Sequence, residues 1–526
     1  MTHDEMKQRR KEAAQRRRRI IFNSDAGDTD PPELKVADPE EYLKSRKTGL
    51  VGSSVDSIFY STAQGFDQYV HYSEVSEIAY HANPVIGQML EQGHDPLQLT
   101  VEFCRKNDIE ILWSFRINDE HDSWSPELVS QFKKDHPEYL LGTREKPPPH
   151  GPWSAVDYAQ PEVREYVFGH LQDVCSRYDV DGIEFDFFRQ LTCFKSLAWG
   201  KQVSQEERDT MTELLGRVRE MMDEIGRNRQ RPLLIAARVP DSLGYCQALG
   251  FDLLRWLQED LIDIMVVGGY FWLQPWERSV ELGHRFDVPV YPSLDGSRIG
   301  RDPWVPGYKE PHSDIECLKV RRSDEAYQAH ALRAWNAGAD GIYLFNFNYL
   351  RPPSHRLWTD LGDPKRLATL DKLYHVSVMG HGGPPLQGYL PGGQGDRFFH
   401  LPILSPGSPR ELVPRVPLVT TLDVADDVKW AKDEGLEPEL KLNVQVENLP
   451  RADGLSVALN GQALGKAPLS WESQFPQMWQ EYTVDPQQVS KGHNNLEITL
   501  TEDVRDETPC VLHDLHLRIQ MRKDTR

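Results

Sequence analysis

Long apolar runs are missing from this 526-residue chain. No stretch approaches the ~20 consecutive apolar residues that a membrane-spanning helix needs. The N-terminal MTHDEMKQRRKEAAQRRRR lacks the apolar centre of a signal peptide. The chain as written is therefore expected in the cytoplasm, or exported by a signal outside it. Cysteine is scarce and scattered: Cys104, Cys175, Cys193, Cys246, Cys317 and Cys510 form no CxxC pair. That excludes a disulfide framework and a thiolate zinc site and leaves buried free thiols as the expectation. Positive charge is in deficit, with 60 Lys and Arg against 81 Asp and Glu and a net charge of −21. A protein so acidic lacks the cationic face that duplex DNA or an anionic membrane requires, so neither is an expected partner. No GxGxxG follows the first β-rich run, and neither a cofactor nor a metal is expected.

What is present is a repeating grammar of short apolar runs, each followed by polar residues and a helical stretch. Eight runs stand out: Arg19–Asn23, Ser57–Ser61, Ile109–Phe115, Gly182–Asp186, Pro232–Ala237, Ile262–Gly268, Val288–Leu294 and Gly341–Asn346. Helical segments such as Pro161–Tyr178 and Asp324–Ala337 intervene, which implies parallel strands joined by right-handed crossovers. The predicted class is α/β, a (β/α)8 TIM barrel over residues 19–378, with a doubly wound open sheet as the alternative. The fourth and eighth runs open alike, Asp181-Gly182-Ile183 and Asp340-Gly341-Ile342, an echo of half-barrel symmetry in which both aspartates lie at strand beginnings and read as structural. Residues 1–18 carry the basic run and are expected to be a solvated, frayed extension. Residues 379–395 read as a Gly/Pro-rich linker. From 396 onward in-out alternation, with turns at Asn460-Gly461 and Gly492-His493-Asn494, predicts a C-terminal antiparallel β-sandwich of jelly-roll type.

Chemistry in a barrel gathers where strands end. The strand-end residues here are Asn23 and Asp25; Arg116, Asn118, Asp119, His121 and Asp122; Glu184, Asp186 and Arg189; Arg238; Tyr270; Asp295 and Arg298; Asn346 and Asn348. Period two puts Glu184 and Asp186 on one inward face of strand four, and an inward charge is costly to bury unless paired or functional. An ion pair with Arg116 or Arg238 is the structural alternative. Asp295 ends strand seven before a glycine turn, where an acid can equally be a cap. Aromatic residues crowd the same rim: Trp113 and Trp124 flank the third strand end, and Trp153, Trp199, Trp272, Trp276 and Trp304 lie in or beside later loops. Sugar rings pack their C–H faces on indoles, and Trp272 is a platform candidate.

Val180-Asp181-Gly182-Ile183-Glu184-Phe185-Asp186-Phe187-Phe188-Arg189 resembles the VDGIxxDxxR/Y strand of TIM-barrel glycoside hydrolases and glycosyl-hydrolase-like barrels. The resemblance implies Asp186 as a site residue. Family-18 chitinases share the start of the pattern and place a catalytic Glu where this chain has Phe188, which speaks against their chemistry. Leu459-Asn460-Gly461 and Gly492-His493-Asn494-Asn495-Leu496-Glu497-Ile498 resemble runs in the galactose-binding-like sandwiches appended to many glycoside hydrolases.

The expected activity is hydrolysis of a polysaccharide or oligosaccharide by two carboxyl groups, Asp186 with Glu184 or Asp295. Asn23, Asp25, Arg116, Asn118, Asp119, His121, Arg189, Arg238, Tyr270, Trp272, Arg298 and Asn346 are the expected substrate contacts. Arginine at the rim (Arg116, Arg189, Arg238, Arg298, Arg301) favours an anionic, uronic or sulfated glycan. The alternatives are a non-catalytic carbohydrate-binding barrel and a metal-dependent hydrolase built on Asp25, Asp119, His121 and Asp122.

Overall fold

All eight runs form strands: β1 (Ile20–Asp25), β2 (Val55–Ser61), β3 (Glu110–Arg116), β4 (Gly182–Asp186), β5 (Leu234–Val239), β6 (Ile264–Val267), β7 (Val290–Pro292) and β8 (Ile342–Phe345). The computed structural model describes residues 2–25, 34–79, 83–125, 128–269, 272–294, 323–349, 351–377, 410–451, 453–465, 469–471, 477–503 and 508–523. The eight strands are parallel and follow the order β8-β1-β2-β3-β4-β5-β6-β7. A parallel bridge between Ser293 and Tyr343, beside a 2.8 Å bond from the Leu294 N–H to the Tyr343 carbonyl, joins the last strands into a barrel. Covering on both faces explains why these strands read as near-continuous apolar runs.

The Asp-Gly-Ile echo has one physical meaning at both places. Asp181 accepts the Ile111 N–H from the adjoining β3 at 2.9 Å, and Asp340 accepts the Val290 N–H from β7 at 2.8 Å. The glycine that follows lets the neighbouring backbone come close. A Cβ on Gly182 would stand 2.1 Å from the Leu234 carbonyl oxygen, and one on Gly341 1.9 Å from that of Arg18.

The basic N-terminal run is not a frayed extension. Residues His3–Ala14 form helix α1, opened by a Thr2/Glu5 capping box. Arg10 of α1 is buried and ion-paired with Asp223, Asp260 and Asp263 at 3.1, 2.6 and 2.7 Å. Arg18, also buried, holds Glu110 at 2.7 Å. Glu110 begins β3 and Asp263 precedes β6, so α1 is fastened at the amino-terminal ends of the strands. The run looked solvated because its acidic partners lie more than 90 residues away. Helices α2 (Pro161–Arg177) and α3 (Gln205–Arg229) flank β4 in sequence as crossovers.

The chain divides into two compact units. One takes in the described residues up to 294 with those of 339–359. The other takes in 323–338, 360–377 and those from 410 onward. In the second unit, helix α4 (Asp324–Asn336) is ion-paired to Asp423 through Arg333, and His330 meets His375 Nε2 to Nε2 at 3.0 Å. The unit's longer strands are β9 (Lys372–Ser377), β10 (Leu418–Val424), β11 (Leu436–Glu447), β12 (Leu455–Leu459), β13 (Gln477–Val484), β14 (Gly492–Leu500) and β15 (Val511–Lys523). One antiparallel sheet contains β9-β15-β11-β13 and the other β10-β14-β12, as a β-sandwich requires. Alternation is clear in β14, where Asn494, Leu496, Ile498 and Leu500 are buried between exposed or half-buried neighbours.

Two boundaries change. A barrel ending at 378 cuts through the second unit, because β9 pairs with β15 from Lys372↔Ile519 to Ser377↔Asp514. Gly492-His493-Asn494, expected as a turn, opens β14, whereas Asn460-Gly461 is a turn with φ of 50° and 77°. Residues 379–395 lie outside the described residues, as does Cys317. The other five cysteines are free and buried.

Candidate active site

Strand register stacks the inward side chains in layers. Ser114 of β3, Glu184 of β4 and Ala236 of β5 are level, and two residues further out so are Arg116, Asp186 and Arg238. The deeper layer is built around Glu184, which is wholly buried. Its Oε2 accepts from Asn23 Nδ2 at 2.8 Å and from the Ser114 hydroxyl at 2.5 Å. Its Oε1 accepts from the Tyr343 hydroxyl at 2.7 Å. Burial and the nearby charge of Asp186 push the Glu184 carboxyl up to about 8.

Asp186, also wholly buried, ends β4. Its Oδ1 accepts the Phe188 N–H at 3.0 Å, and Oδ2 accepts from Arg238 at 3.1 Å. Burial raises its pKa, with Arg238 opposing. The Arg238 guanidinium lies 4.2 Å from the centre of the Phe345 ring and 5.3 Å from that of Tyr343, so aromatic faces hold the charge in place.

Above this lies a chain of ion pairs at the carboxyl ends of the strands. Arg116 reaches Asp25 at 2.6 Å and also pairs with Asp119. Arg189 stands 3.5 Å from the second Asp25 oxygen. Asp119 accepts from the His121 N–H at 3.0 Å and bonds His121 Nδ1 at 2.7 Å, while Arg189 faces His121 Nε2 at 3.3 Å. Burial opposes ionisation of Asp25 and Asp119. Arg116 and Arg189 outweigh it for Asp25, and His121 and Arg116 for Asp119, so both stay below the usual carboxylate range.

The structure brings Asn23, Asp25, Arg116, Asp119, His121, Glu184, Asp186, Arg189 and Arg238 together in this linked set. Asn346 joins it through a bond that its Oδ1 accepts from the Asp25 N–H at 3.0 Å. Asn118 does not join. Its side chain donates to the Val156 carbonyl and accepts the Val156 N–H, both at 2.9 Å, bracing a loop. Trp272 stacks on Trp276 with ring centres 4.4 Å apart. Tyr270, Asp295, Arg298, Arg301 and Trp304 lie outside the described residues. For the metal alternative, Asp122 faces Lys133 at 2.6 Å while Asp25 and Asp119 bracket Arg116. Among the described residues no three His, Cys, Asp or Glu converge as ligands.

Sequence reasoning missed Tyr343 and Asp241 as members of this architecture. Tyr343 sat in an apolar run whose register against Glu184 only barrel closure sets. Asp241, pushed up to about 7 by burial, accepts the Leu273 and Gln274 N–H groups at 2.9 Å, tying the β5 exit to the β6 exit.

Residues 67–209, which include β3 and β4, match the model of a family described as glycosyl hydrolase-like 10. The chain thus carries a glycosyl hydrolase-like segment within its barrel. No curated protein matches the chain. A cycloisomaltooligosaccharide glucanotransferase from a Paenibacillus species is 8% identical with a TM-score of 0.35, and the match covers 95% of this chain and 57% of that one. A family 18 N-acetylglucosaminidase from Paenibacillus barengoltzii is 14% identical with a TM-score of 0.34, over 65% of this chain and 97% of that one. The PgaB glycoside hydrolase domain from Bordetella bronchiseptica is 13% identical with a TM-score of 0.38, over 66% of this chain and 99% of that one.

Proposed function

We propose, from a TIM barrel whose residues 67–209 match a glycosyl hydrolase-like family, that this protein hydrolyses glycosidic bonds at the carboxyl ends of β1, β3, β4 and β5. The observation that carries the reading is the pair on β4: two wholly buried carboxyl groups facing the barrel interior, with Glu184 pushed up to about 8 and Asp186 held against Arg238. Two buried acids on one strand, one beside an arginine and one bonded only to uncharged donors, offer the two unlike carboxyl groups that acid/base chemistry needs. Asp186, at the strand end, is the carboxylate assigned to the substrate. Glu184, one layer deeper, holds a proton and keeps the couple at a single charge. Asp295, which follows β7, is the acid proposed for the other side of the bond.

The substrate we assign is a neutral glycan. In the ion pairs, Asp25, Asp119 and Asp186 face Arg116, Arg189 and Arg238, three carboxyl groups to three guanidinium groups. These arginines then carry no surplus for a uronic or sulfated ligand, and the anionic alternative rests on Arg298 and Arg301. The same matching favours a second reading, a carbohydrate-binding barrel in which the buried charges are structural. A panel of neutral and anionic polysaccharides, assayed for released reducing sugar beside Asp186→Asn, tests the proposal. Release from a neutral glycan that the variant abolishes supports it. Binding by calorimetry without release supports the second reading.

A further inference from the structure

The turn that follows β3 presents a large aromatic side chain outward on a support built from buried charge. Trp124 is 64% exposed, whereas Trp113, Trp256 and Trp358 are wholly buried. Exposed indole surface is unfavourable in water, and Trp is ordinarily an interior residue. Here the backbone beneath it is fixed from several sides. Lys133, itself buried, pairs with the buried Asp122 at 2.6 Å and donates to the Asp119 carbonyl at 3.1 Å. The Ser154 hydroxyl donates to Asp122 at 2.5 Å, and the Ser123 and Ser154 hydroxyls are 2.6 Å apart. Trp153 Nε1 donates to the Ser123 carbonyl at 3.2 Å. Together these bonds fix the backbone from which the Trp124 side chain projects.

Beside the indole stands His121, edge-to-face with it at 5.4 Å and with 32% of its side chain exposed. Its Nδ1 faces Asp119 and its Nε2 faces Arg189. Arg189 continues to Asp25, whose charge in turn acts on Asp186. The turn therefore lies on the carboxyl-terminal side of the barrel, connected to the proposed reactive carboxylate but displaced from it. An exposed indole held in one place is the surface that the C–H face of a pyranose ring fits. A pre-ordered platform loses little conformational freedom on binding.

We propose that Trp124 and His121 form a glycan-binding subsite outside the position of the cleaved bond, one that holds a more distant sugar unit of a chain. The inference rests on the carbohydrate reading above. Cello-, chito-, xylo- and malto-oligosaccharides of two and six units, titrated into the full chain by calorimetry, supply the probes. For the series that the wild type binds, Trp124→Ala should weaken the six-unit sugar by tenfold or more and leave the two-unit sugar within about twofold, while Trp124→Phe keeps most of the affinity. Because Trp124 is exposed, melting of the variants should match the wild type. Six-unit binding unchanged in Trp124→Ala overturns the subsite while leaving the carbohydrate reading standing. A wild type that binds none of the four series overturns both. A change in sedimentation on Trp124→Ala with unchanged glycan affinity assigns the indole to a protein contact and also overturns the subsite.

Discussion

The Tyr343 hydroxyl of β8 donates to Oε1 of Glu184 on β4 at 2.7 Å, across the interior of the barrel. Two strands that are not neighbours in the sheet thus meet on one carboxyl group. With the donations from Asn23 and Ser114, this gives the buried Glu184 polar partners on both oxygens. The arrangement has measurable consequences for pH, for stability and for which pieces of the chain can be removed.

Glu184→Gln should flatten the pH dependence of folding. The folded pKa of about 8 lies above the unfolded value of about 4.3. Between those values the folded state holds a proton that the unfolded state has lost, so the wild type loses stability as pH rises, by at most about 1.4 kcal/mol per pH unit from this group. Glutamine mimics the protonated acid, so urea denaturation should find the variant gaining on the wild type from pH 5 to pH 8. Parallel curves would show that Glu184 is ionised in the fold. Tyr343→Phe removes a donor to the ionised form and should move the same transition to higher pH.

Asp186→Asn should lower turnover by at least ~10²-fold, the scale of a lost acid/base group. It should also lower stability, because Arg238 is left buried without its carboxylate. Breaking one side of such a pair costs about 3–5 kcal/mol. Asp186→Asn combined with Arg238→Gln should recover much of the melting temperature and none of the activity. Recovered activity in the double variant would remove Asp186 from the chemistry.

Hydrolysis should be insensitive to ionic strength between roughly 50 and 500 mM salt, since charged ligands alone are screened over that range. A KM that climbs steeply with salt would return the assignment to an anionic glycan.

Arg10→Ala should destabilise the barrel by about 1.5–3 kcal/mol, because Asp223 and Asp263 stay buried with Arg219 as their shared cation. Deleting residues 1–16 should do at least as much. A deletion that melts like the full chain would return this segment to the status of a tail.

Cutting the chain near residue 380 should give insoluble or molten protein. The cut leaves β9 without β15, its antiparallel partner, and exposes an unpaired edge. A soluble and cooperatively folded 1–380 fragment would show that 323–338 and 360–377 hold their structure without the sheet.

The sequence by itself determined the eight strands, their parallel order and the inward placement of Glu184 and Asp186. Each depends on local apolar patterning and a two-residue period that a neighbouring residue cannot change. It also marked Asp181 and Asp340 as structural, since an acid at the start of a strand can cap only what lies beside it. Tertiary structure decided the rest. Which carboxylates Arg116, Arg189 and Arg238 meet depends on partners as far as 164 residues away (Arg189 to Asp25), and they are Asp25, Asp119 and Asp186. The basic N-terminal run became a docked helix because acids at Asp223, Asp260 and Asp263 meet Arg10 only once the barrel has formed. Residues 372–377 went to the antiparallel sheet because a strand takes its place from the edge available to it, and here that edge is β15, about 140 residues later in the chain.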